Sequence, residues 1–490
     1  MQRIHPGQRM VLHSTLATRQ IEQLAQAGLP EHALMQRAGL SIAKLALAIT
    51  PHAQRIWVAC GSGNNGGDGL EAALHLKRWG KEPVVTWLGS PQQTPTDAHA
   101  SFQRAVQAGV SFSQTVPTRV DLCIDALLGL GSTLREPAAT MTSWMDQMHG
   151  LSTPILAVDL PSGLDANTGI CTATHVNASH TLSLLTLKPG LFTAQGRDAS
   201  GTVWFDDLHV GDVQITAVEP CATLIASPIK AIRTHASHKG SFGDVAVVGG
   251  AAGMTGAALL AATAALHSGA GRVFVVLLGK HSPQVDTTQP ELMFRAINDL
   301  NLNNMAVVCG CGGGQAIHDQ LDQIMLSSAP IVMDADALNS MATDTALQTL
   351  LTQRAQRHAV TVLTPHPLEA ARLLGCTATQ VQQDRLAAAN TLVQRFNCTV
   401  VLKGSGTVVA ALGEIPAINF TGNARLATAG SGDVLAGMIG AKLAIGLPAY
   451  QAACEAVYQH GFFADHWPTG ITLTASRLAL QNYSLKKLYT

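Results

Sequence analysis

The sequence predicts an α/β chain of two domains, and three observations carry that reading. Short runs rich in Val, Ile and Leu recur at spacings of roughly 25 to 40 residues, with helical periodicity between them, the pattern of βα units on a mostly parallel sheet. Two glycine–aspartate stretches, Gly61–Gly69 and Gly430–Asp433, stand where a strand or loop gives way to a helix. The chain of 490 residues also exceeds what one core of ordinary size organises. The expected domains are 1–220 and 221–490.

Composition limits the function classes. Hydrophobic residues make up 47% and charged residues 13%, while aromatics reach only 4%, which suits helices lying close on buried sheets. The formal net charge is −1 and no basic block stands out, so nucleic acid is not an expected partner. Met1–Thr15 holds no apolar signal core, and the most apolar run, Gly256–Leu266, is far short of a bilayer span. A cytoplasmic protein with no membrane partner is expected. Nine cysteines are scattered, and the one close pair, Cys309 and Cys311, lacks a second pair for zinc, so reduced thiols are expected.

Ser14 or Thr15 opens a first helix reaching about Ala25. A second helix, Pro30–Ile49, carries Leu34, Met35, Ala38, Ile42, Leu45 and Ile49 on one face. Strands are expected at Ile56–Cys60, Pro83–Leu88, Val120–Ile124, Ile155–Asp159 and Thr181–Leu187. Between Cys60 and Leu70, five glycines, two asparagines and one aspartate take eight of nine positions, read as a turn before a helix beginning near Leu70. Such a turn offers backbone N–H groups and the positive end of a helix dipole to an anion. Glycines alone would be a weak signal. Asn64, Asn65 and Asp68 add side-chain oxygens, and that favours a ligand or ion site. Asp125, Asp159 and Lys188 stand at the carboxyl ends of later strands, where open α/β sheets bind ligands, so their loops should converge on the glycine stretch.

After Phe205 the pattern loosens, and the junction is expected near residue 220. A strand at Gly243–Val248 opens the second domain, followed by a helix at Gly256–Ser268. Further strands are expected at Val273–Leu278, Met305–Cys309, Ile331–Asp334, Val360–Leu363 and Thr399–Leu402. Asp334-Ala-Asp336, Thr364-Pro-His366 and Lys403-Gly-Ser-Gly-Thr407 follow three of them. Thr428–Gly437 opens a long helix through Ile445; its glycine amides would face a transferred phosphoryl group, with Asp433 in the first turn as the acid/base carboxylate.

Residues 240–480 resemble the ribokinase-like superfamily, and nearly the whole chain resembles the bifunctional NAD(P)H-hydrate repair enzymes, which fuse an epimerase domain to an ADP- or ATP-dependent dehydratase. The motifs of the first half are Leu34-Met-x-Arg37-Ala-Gly39, Gly63-Asn-Asn-Gly-Gly-Asp-Gly69, Asp125-Ala-Leu-Leu-Gly129, Val158-Asp-x-Pro-Ser-Gly163 and Leu187-Lys-Pro-Gly190. Those of the second are His238-Lys-Gly240, Gly256-Ala257, Gly269-Ala-Gly271, Asp334-Ala-Asp336, Thr364-Pro-His-Pro367, Lys403-Gly404 and Gly430-Ser-Gly-Asp433.

The resemblance implies a Rossmann-like three-layer sandwich followed by a ribokinase-like domain, and a homo-oligomer. It makes Asn65, Asp125 and Ser162 ligands of a potassium ion (K+), an oxygen-only set that suits a hard cation. It places Asn64, Asn65, Gly66, Gly67 and Asp68, with Gly129, Leu130, Gly131, Ser132, Thr133, Leu134 and Arg135, on the hydrated nucleotide, NADHX or NADPHX. Asp159 is then the acid/base group, and Lys188 either holds a phosphate or tunes Asp159. In the second half it implies Ala257, Gly314, His366 and Asp433 on the dehydratase substrate. Lys403, Gly404, Ser405, Gly406, Thr407 and Gly432 would hold ADP or ATP, with Mg2+ on its phosphates. Some positions depart from the pattern: Leu130 stands where threonine is usual, Gln36 where glutamate is, Leu368 where glycine is, and Cys309–Gly314 replaces Ile-Gly-Pro-Gly-Leu-Gly. Two rivals stay open on the residues alone. One is a small-molecule kinase, which gives Asn64–Asp68 no role; the other is a nucleotide sensor, which has no need of Asp159, Lys188, Lys403 and Asp433 together.

Overall fold

The computed structural model describes all residues except 91, 132–135, 212–214, 230–233, 281 and 482–490. The chain divides into two compact units, one of Met1–His5 with Met10–Thr223 and one of Pro6–Arg9 with Leu224–Thr490. Among the described residues no helix is long and apolar enough to cross a membrane. All nine cysteines are free thiols, five of them buried.

The first unit is built on a sheet of eight strands: β1 (Gln2–Arg3), β2 (Arg55–Cys60), β3 (Glu82–Trp87), β4 (Ser111–Phe112), β5 (Leu122–Ala126), β6 (Ile155–Val158), β7 (His180–Leu184) and β8 (Thr202–Asp206). Their order is β1-β8-β7-β6-β5-β2-β3-β4, parallel except for β1. The chain winds outward from β2 in one direction and from β5 in the other. The switch point between β2 and β5 is where doubly wound sheets open a crevice for ligand.

Helices α1 (Thr15–Gln26), α2 (Ala33–Ile49), α3 (Asn64–Arg78), α4 (Thr96–Gln107) and α5 (Ala139–Gly150) belong to this unit. Ser14 Oγ caps α1 by accepting from the Ala17 N–H at 3.2 Å. Helix α2 starts three residues later than the sequence suggests, because His32 takes a left-handed conformation at φ 64°. β7 also ends early. Leu185, at φ 65°, turns the chain, and Lys188 comes after the turn rather than at the end of a longer strand.

The largest difference from expectation is in the glycine stretch, which is helix from Asn64 onward rather than a turn up to Leu70. Its glycines exist for contact. A Cβ on Gly66 would lie 2.0 Å from the Gly61 carbonyl oxygen, and one on Gly69 would lie 2.6 Å from the Ala126 Cβ. A Cβ on Gly67 would meet Met35 Sδ at 2.7 Å. Each is closer than a carbon can approach, so α3 settles onto the sheet and α2 only without these side chains.

In the second unit the strands are β9 (Asp244–Gly249), β10 (Arg272–Leu277), β11 (Met293–Phe294), β12 (Ala306–Cys309), β13 (Ile331–Met333), β14 (Thr361–Leu363), β15 (Thr399–Leu402), β16 (Val408–Ala410) and β17 (Ala417–Ile418). They run in the order β11-β10-β9-β12-β13-β14-β15-β16-β17. The sheet is parallel as far as β15, and β16 and β17 follow as an antiparallel hairpin. The hairpin strands are too short for a periodicity signal. The switch point lies between β9 and β12. Helices α6 (Thr255–His267), α7 (Ala335–Thr343), α8 (Pro367–Leu374), α9 (Ser431–Ala444) and α10 (Ala449–Asp465) frame the site. Helices α6 and α9 meet over the buried face of the sheet through small residues, where a Cβ on Gly437 would lie 2.0 Å from the Ala261 carbonyl oxygen.

Candidate active sites

At the first switch point a cavity of about 460 Å³ opens. Asn64, Asn65 and Asp68 of α3 wall one side, Gly129, Leu130 and Gly131 another, and Asp159 faces in from the end of β6. The loops after β2, β5 and β6 therefore converge as expected. Gly66 and Gly67 do not line the cavity; they are buried in the packing of α3. Ser132, Thr133, Leu134 and Arg135 lie outside the described residues. Arg19 and Glu22 of α1 also reach the cavity, as do Leu34 and Met35 of α2. Sequence reasoning missed Arg19 and Glu22 because their spacing is that of an ordinary solvated helix face.

The floor of this site is an oxygen cluster. Asp125, wholly buried at the end of β5, accepts from the Ser162 N–H at 2.8 Å, the Ser162 hydroxyl at 2.6 Å and the Leu127 N–H at 3.2 Å. Ser162 Oγ accepts in turn from the Leu128 N–H at 2.9 Å. Asn65 donates through its amide nitrogen to the Leu128 carbonyl at 3.0 Å, and Gly129 leaves room beside its Oδ1, where a Cβ would lie at 2.9 Å. Among the described residues no cationic side chain pairs with Asp125. Burial pushes its carboxyl up to about 6 against the pull of the Ser162 hydrogen bonds. A buried carboxylate with oxygen neighbours and no cationic side chain is a fitting seat for a hard cation.

Asp159 is held differently. It sits at φ 65°, a conformation that strains a residue bearing a Cβ, and it is 7% exposed. Its Oδ1 accepts from the Leu184 N–H at 3.1 Å and from Lys188 Nζ. Lys188 has no exposed surface and gives its remaining hydrogens to the Leu184 carbonyl at 2.8 Å and to Ser183 Oγ at 3.4 Å. Burial, and then the Asp159 charge, push the carboxyls of both Asp68 and Glu22 above their ordinary range. Two carboxyl groups pushed upward in one cavity are the kind of arrangement that suits proton transfer.

The second cluster gathers the loops after β12, β13, β14 and β15 around the start of α9. Asp334 accepts from Lys403 Nζ at 2.5 Å and from Thr364 Oγ1 at 2.8 Å, and Glu369 Oε2 lies 4.0 Å from the same Nζ. Gly430, at φ 88°, turns the chain into α9 and puts Asp433 in the first turn. A Cβ on Gly432 would lie 3.2 Å from Lys403 Nζ, so the glycine keeps space beside the ammonium. Burial, and then the Asp334 charge, push the Asp433 carboxyl up to about 6. Beneath this turn the buried His460 meets the Ser431 carbonyl through Nε2 at 2.9 Å, and burial takes its pKa down to about 4. That neutral ring is a support for the turn; α10 carries it about 30 residues away, with no local signal to single it out.

His366 caps α8: its Nδ1 accepts from the Leu368 N–H at 3.1 Å, while Glu369 returns a bond from the His366 N–H at 2.8 Å. Burial keeps the ring below its ordinary pKa. Gly314 donates its N–H to Asp336 at 2.8 Å, and Ala257 borders the same loop, where a Cβ on Gly312 would meet its Cβ at 2.8 Å. Lys403–Thr407 forms a tight turn with Gly404 at φ 136° and Gly406 at φ 62°. The buried Arg385 guanidinium clamps it from below through the carbonyls of Leu402 at 3.1 Å and Lys403 at 3.2 Å.

Comparison with known proteins gives both halves a family. Residues 31–190 match the family model described as YjeF-related protein N-terminus, and residues 245–484 match that described as NAD(P)H-hydrate dehydratase. The bifunctional NAD(P)H-hydrate repair enzyme Nnr of Escherichia coli (strain K12) is 38% identical over 455 residues, covering 89% of this chain and 85% of the relative. An ADP-dependent (S)-NAD(P)H-hydrate dehydratase of Neisseria meningitidis is 44% identical over 254 residues, covering 50% of this chain and 84% of that protein. A crystal structure of the ADP/ATP-dependent NAD(P)H-hydrate dehydratase from Bacillus subtilis, co-crystallised with ATP/Mg2+, covers 51% of this chain and 91% of its own at 29% identity and a TM-score of 0.45.

Proposed function

The chain belongs to the bifunctional NAD(P)H-hydrate repair enzymes, and from that membership we propose how its two clusters divide one repair. The enzyme epimerises the R and S forms of hydrated NADH or NADPH and dehydrates the S form with ADP or ATP. The epimerase domain is residues 1–220 and the dehydratase domain residues 221–490. The observation that carries this division is that each unit sets a carboxylate beside a lysine and space for a ligand, Asp159 by the buried Lys188 in the first and Asp433 near the partly exposed Lys403 in the second.

In the epimerase cavity Asn64, Asn65, Asp68, Gly129, Leu130 and Gly131 receive the hydrated ring and its ribose phosphate. Asp159 moves a proton as the C6 hydroxyl leaves and returns, or as the ring opens and closes. Lys188, having no exposed surface, acts through Asp159 and not on a phosphate. Asn65, Asp125 and Ser162 would hold a potassium ion, which would supply fixed positive charge to the site.

In the dehydratase site Asp433 takes the proton of the S-epimer's C6 hydroxyl, and that oxygen attacks the terminal phosphoryl group of ADP or ATP, releasing AMP or ADP. The Gly430–Gly432 amides steady the transferred group, Lys403 offsets its charge, and Lys403–Thr407 with Gly432 holds the nucleotide. Magnesium, carried on the nucleotide phosphates, lowers their negative charge. The ring nitrogen lone pair then expels phosphate from C6, and loss of a proton from C5 restores the double bond. Ala257, Gly314 and His366 border the ring. Free thiols throughout fit the reducing cytoplasm. Incubating chemically hydrated NADPH with ADP or ATP tests the reading: dihydronicotinamide absorbance should return, whereas a stable phosphorylated product would point to a simple kinase.

A further inference from the structure

The loop after β12 carries Cys311 into the dehydratase site, and its backbone has little freedom. The Cys311 carbonyl accepts from the Gly250 N–H at 3.0 Å, and the Gly312 carbonyl accepts from the Ala251 N–H at 2.7 Å. A Cβ on Gly310 would lie 2.0 Å from the Asp334 carbonyl oxygen, and one on Gly249 would lie 2.3 Å from the Cys311 carbonyl oxygen. Gly310 and Gly312 take φ values of 108° and 58°, which only glycine adopts without strain. The chain is thus pinned on both sides of Cys311, and its side chain points one way. The thiol has no exposed surface, and its Sγ lies within 4.8 Å of carboxylate oxygens of both Asp334 and Asp433.

The two aspartates are unequal. Asp334 is already bound by Lys403 and Thr364. Asp433 rests on a glycine-led first turn and stays partly exposed. A base must keep one oxygen aimed at the hydroxyl it deprotonates. A donor on the other oxygen fixes the carboxylate rotamer and keeps it ionised.

We propose that Cys311 is a positioning residue of the dehydratase, its S–H holding Asp433 in the orientation from which it takes the substrate proton. This rests on Asp433 being the base. Besides Cys311, the charged groups facing Asp433 are Asp334, Asp336 and Lys403. Removing the thiol leaves the two aspartates' repulsion less opposed, so the carboxylate protonates more readily.

The test measures kcat, nucleotide KM and the pH profile of (S)-hydrate dehydration in the full chain, with epimerisation as the control for folding. Cys311→Ala should lower kcat about tenfold, the effect of losing one donor to a reacting charge, with little change in nucleotide KM. It should also move the acid limb of the profile to higher pH. Cys311→Ser, which keeps an O–H donor in a similar volume, should restore most of both. Parental kcat and an unmoved limb in Cys311→Ala overturn the proposal, as does an equal loss in both variants with the limb unmoved, which means packing alone. Asp433→Asn separates the two readings. If it dehydrates at the parental rate, the base assignment itself falls; if it is inactive while Cys311→Ala behaves as the parent, only the role of the thiol falls.

Discussion

Lys188 donates from Nζ to the Asp159 carboxylate and to the Leu184 carbonyl, and none of its surface reaches solvent. The pair therefore sits behind the cavity wall, with only the carboxylate facing in. Replacing Lys188 by Met strands a nearly buried carboxylate, which is expected to destabilise the first unit by about 3 kcal/mol. Epimerisation should fall about 100-fold as Asp159 loses its orientation, within the range that acid/base groups contribute. Urea unfolding and an epimer-resolved assay of Lys188→Met check both; unchanged epimerisation would place the acid/base work elsewhere.

The proposed potassium seat at Asp125 makes stability depend on pH and on the cation. Burial raises its carboxyl from an ordinary 3.8 to about 6, so ionisation costs the native state more than the unfolded chain. Without a cation, stability should fall as pH rises from about 4 to about 6, by about 3 kcal/mol in all, and stay lowered above that window. A cation bound to the ionised cluster offsets the loss. Melting temperatures in KCl and in tetramethylammonium chloride should therefore separate above pH about 6 and converge near pH about 4. Asp125→Asn should show no such separation.

Gly66 tests why the helix begins where it does. In Gly66→Ala the new Cβ would meet the Gly61 carbonyl oxygen, which cannot move without disturbing the strand end that holds the site. A loss of about 3 kcal/mol or more is expected, with epimerisation lost alongside it. Chemical denaturation measures the first, and a normal curve would show that the contact is soft.

Much of this arrangement is legible in the residues themselves. Strands such as Thr399–Leu402 announce themselves as apolar runs, and Asp125, Asp159, Lys403 and Asp433 stand out as polar residues where strands end or helices begin. The glycine stretch misleads in one respect, because glycine reads as a turn former, whereas at Gly66, Gly67 and Gly69 it is required by distance across a packed interface. That requirement exists only once α2, α3 and the sheet are assembled. Arg19, Glu22 and His460 are illegible for the same reason: each is ordinary in its own helix and meets the site only through the fold.

With Asp433 as the proposed base, the dehydration rate should show a pH limb. A base must be ionised, and its carboxyl is pushed up to about 6, so dehydration should lose rate as pH falls through about 6 and level off above it. Asp433→Asn should lose about 1,000-fold at any pH, within the span removed with a general base. A parental profile that stays flat well below that pH would argue for a different base.

The division of labour between the two carboxylates is tested most directly with an equilibrated mixture of R and S hydrates and ADP or ATP, following each epimer and the restored dihydronicotinamide together. The parent should consume both epimers to completion. Asp159→Ala should consume the S form rapidly and leave the R form to decay at its uncatalysed rate, while Asp433→Asn should interconvert the two and restore neither. An Asp159→Ala enzyme that clears the R form as fast as the parent, or an Asp433→Asn enzyme that restores the dihydronicotinamide at the parental rate, would contradict the account.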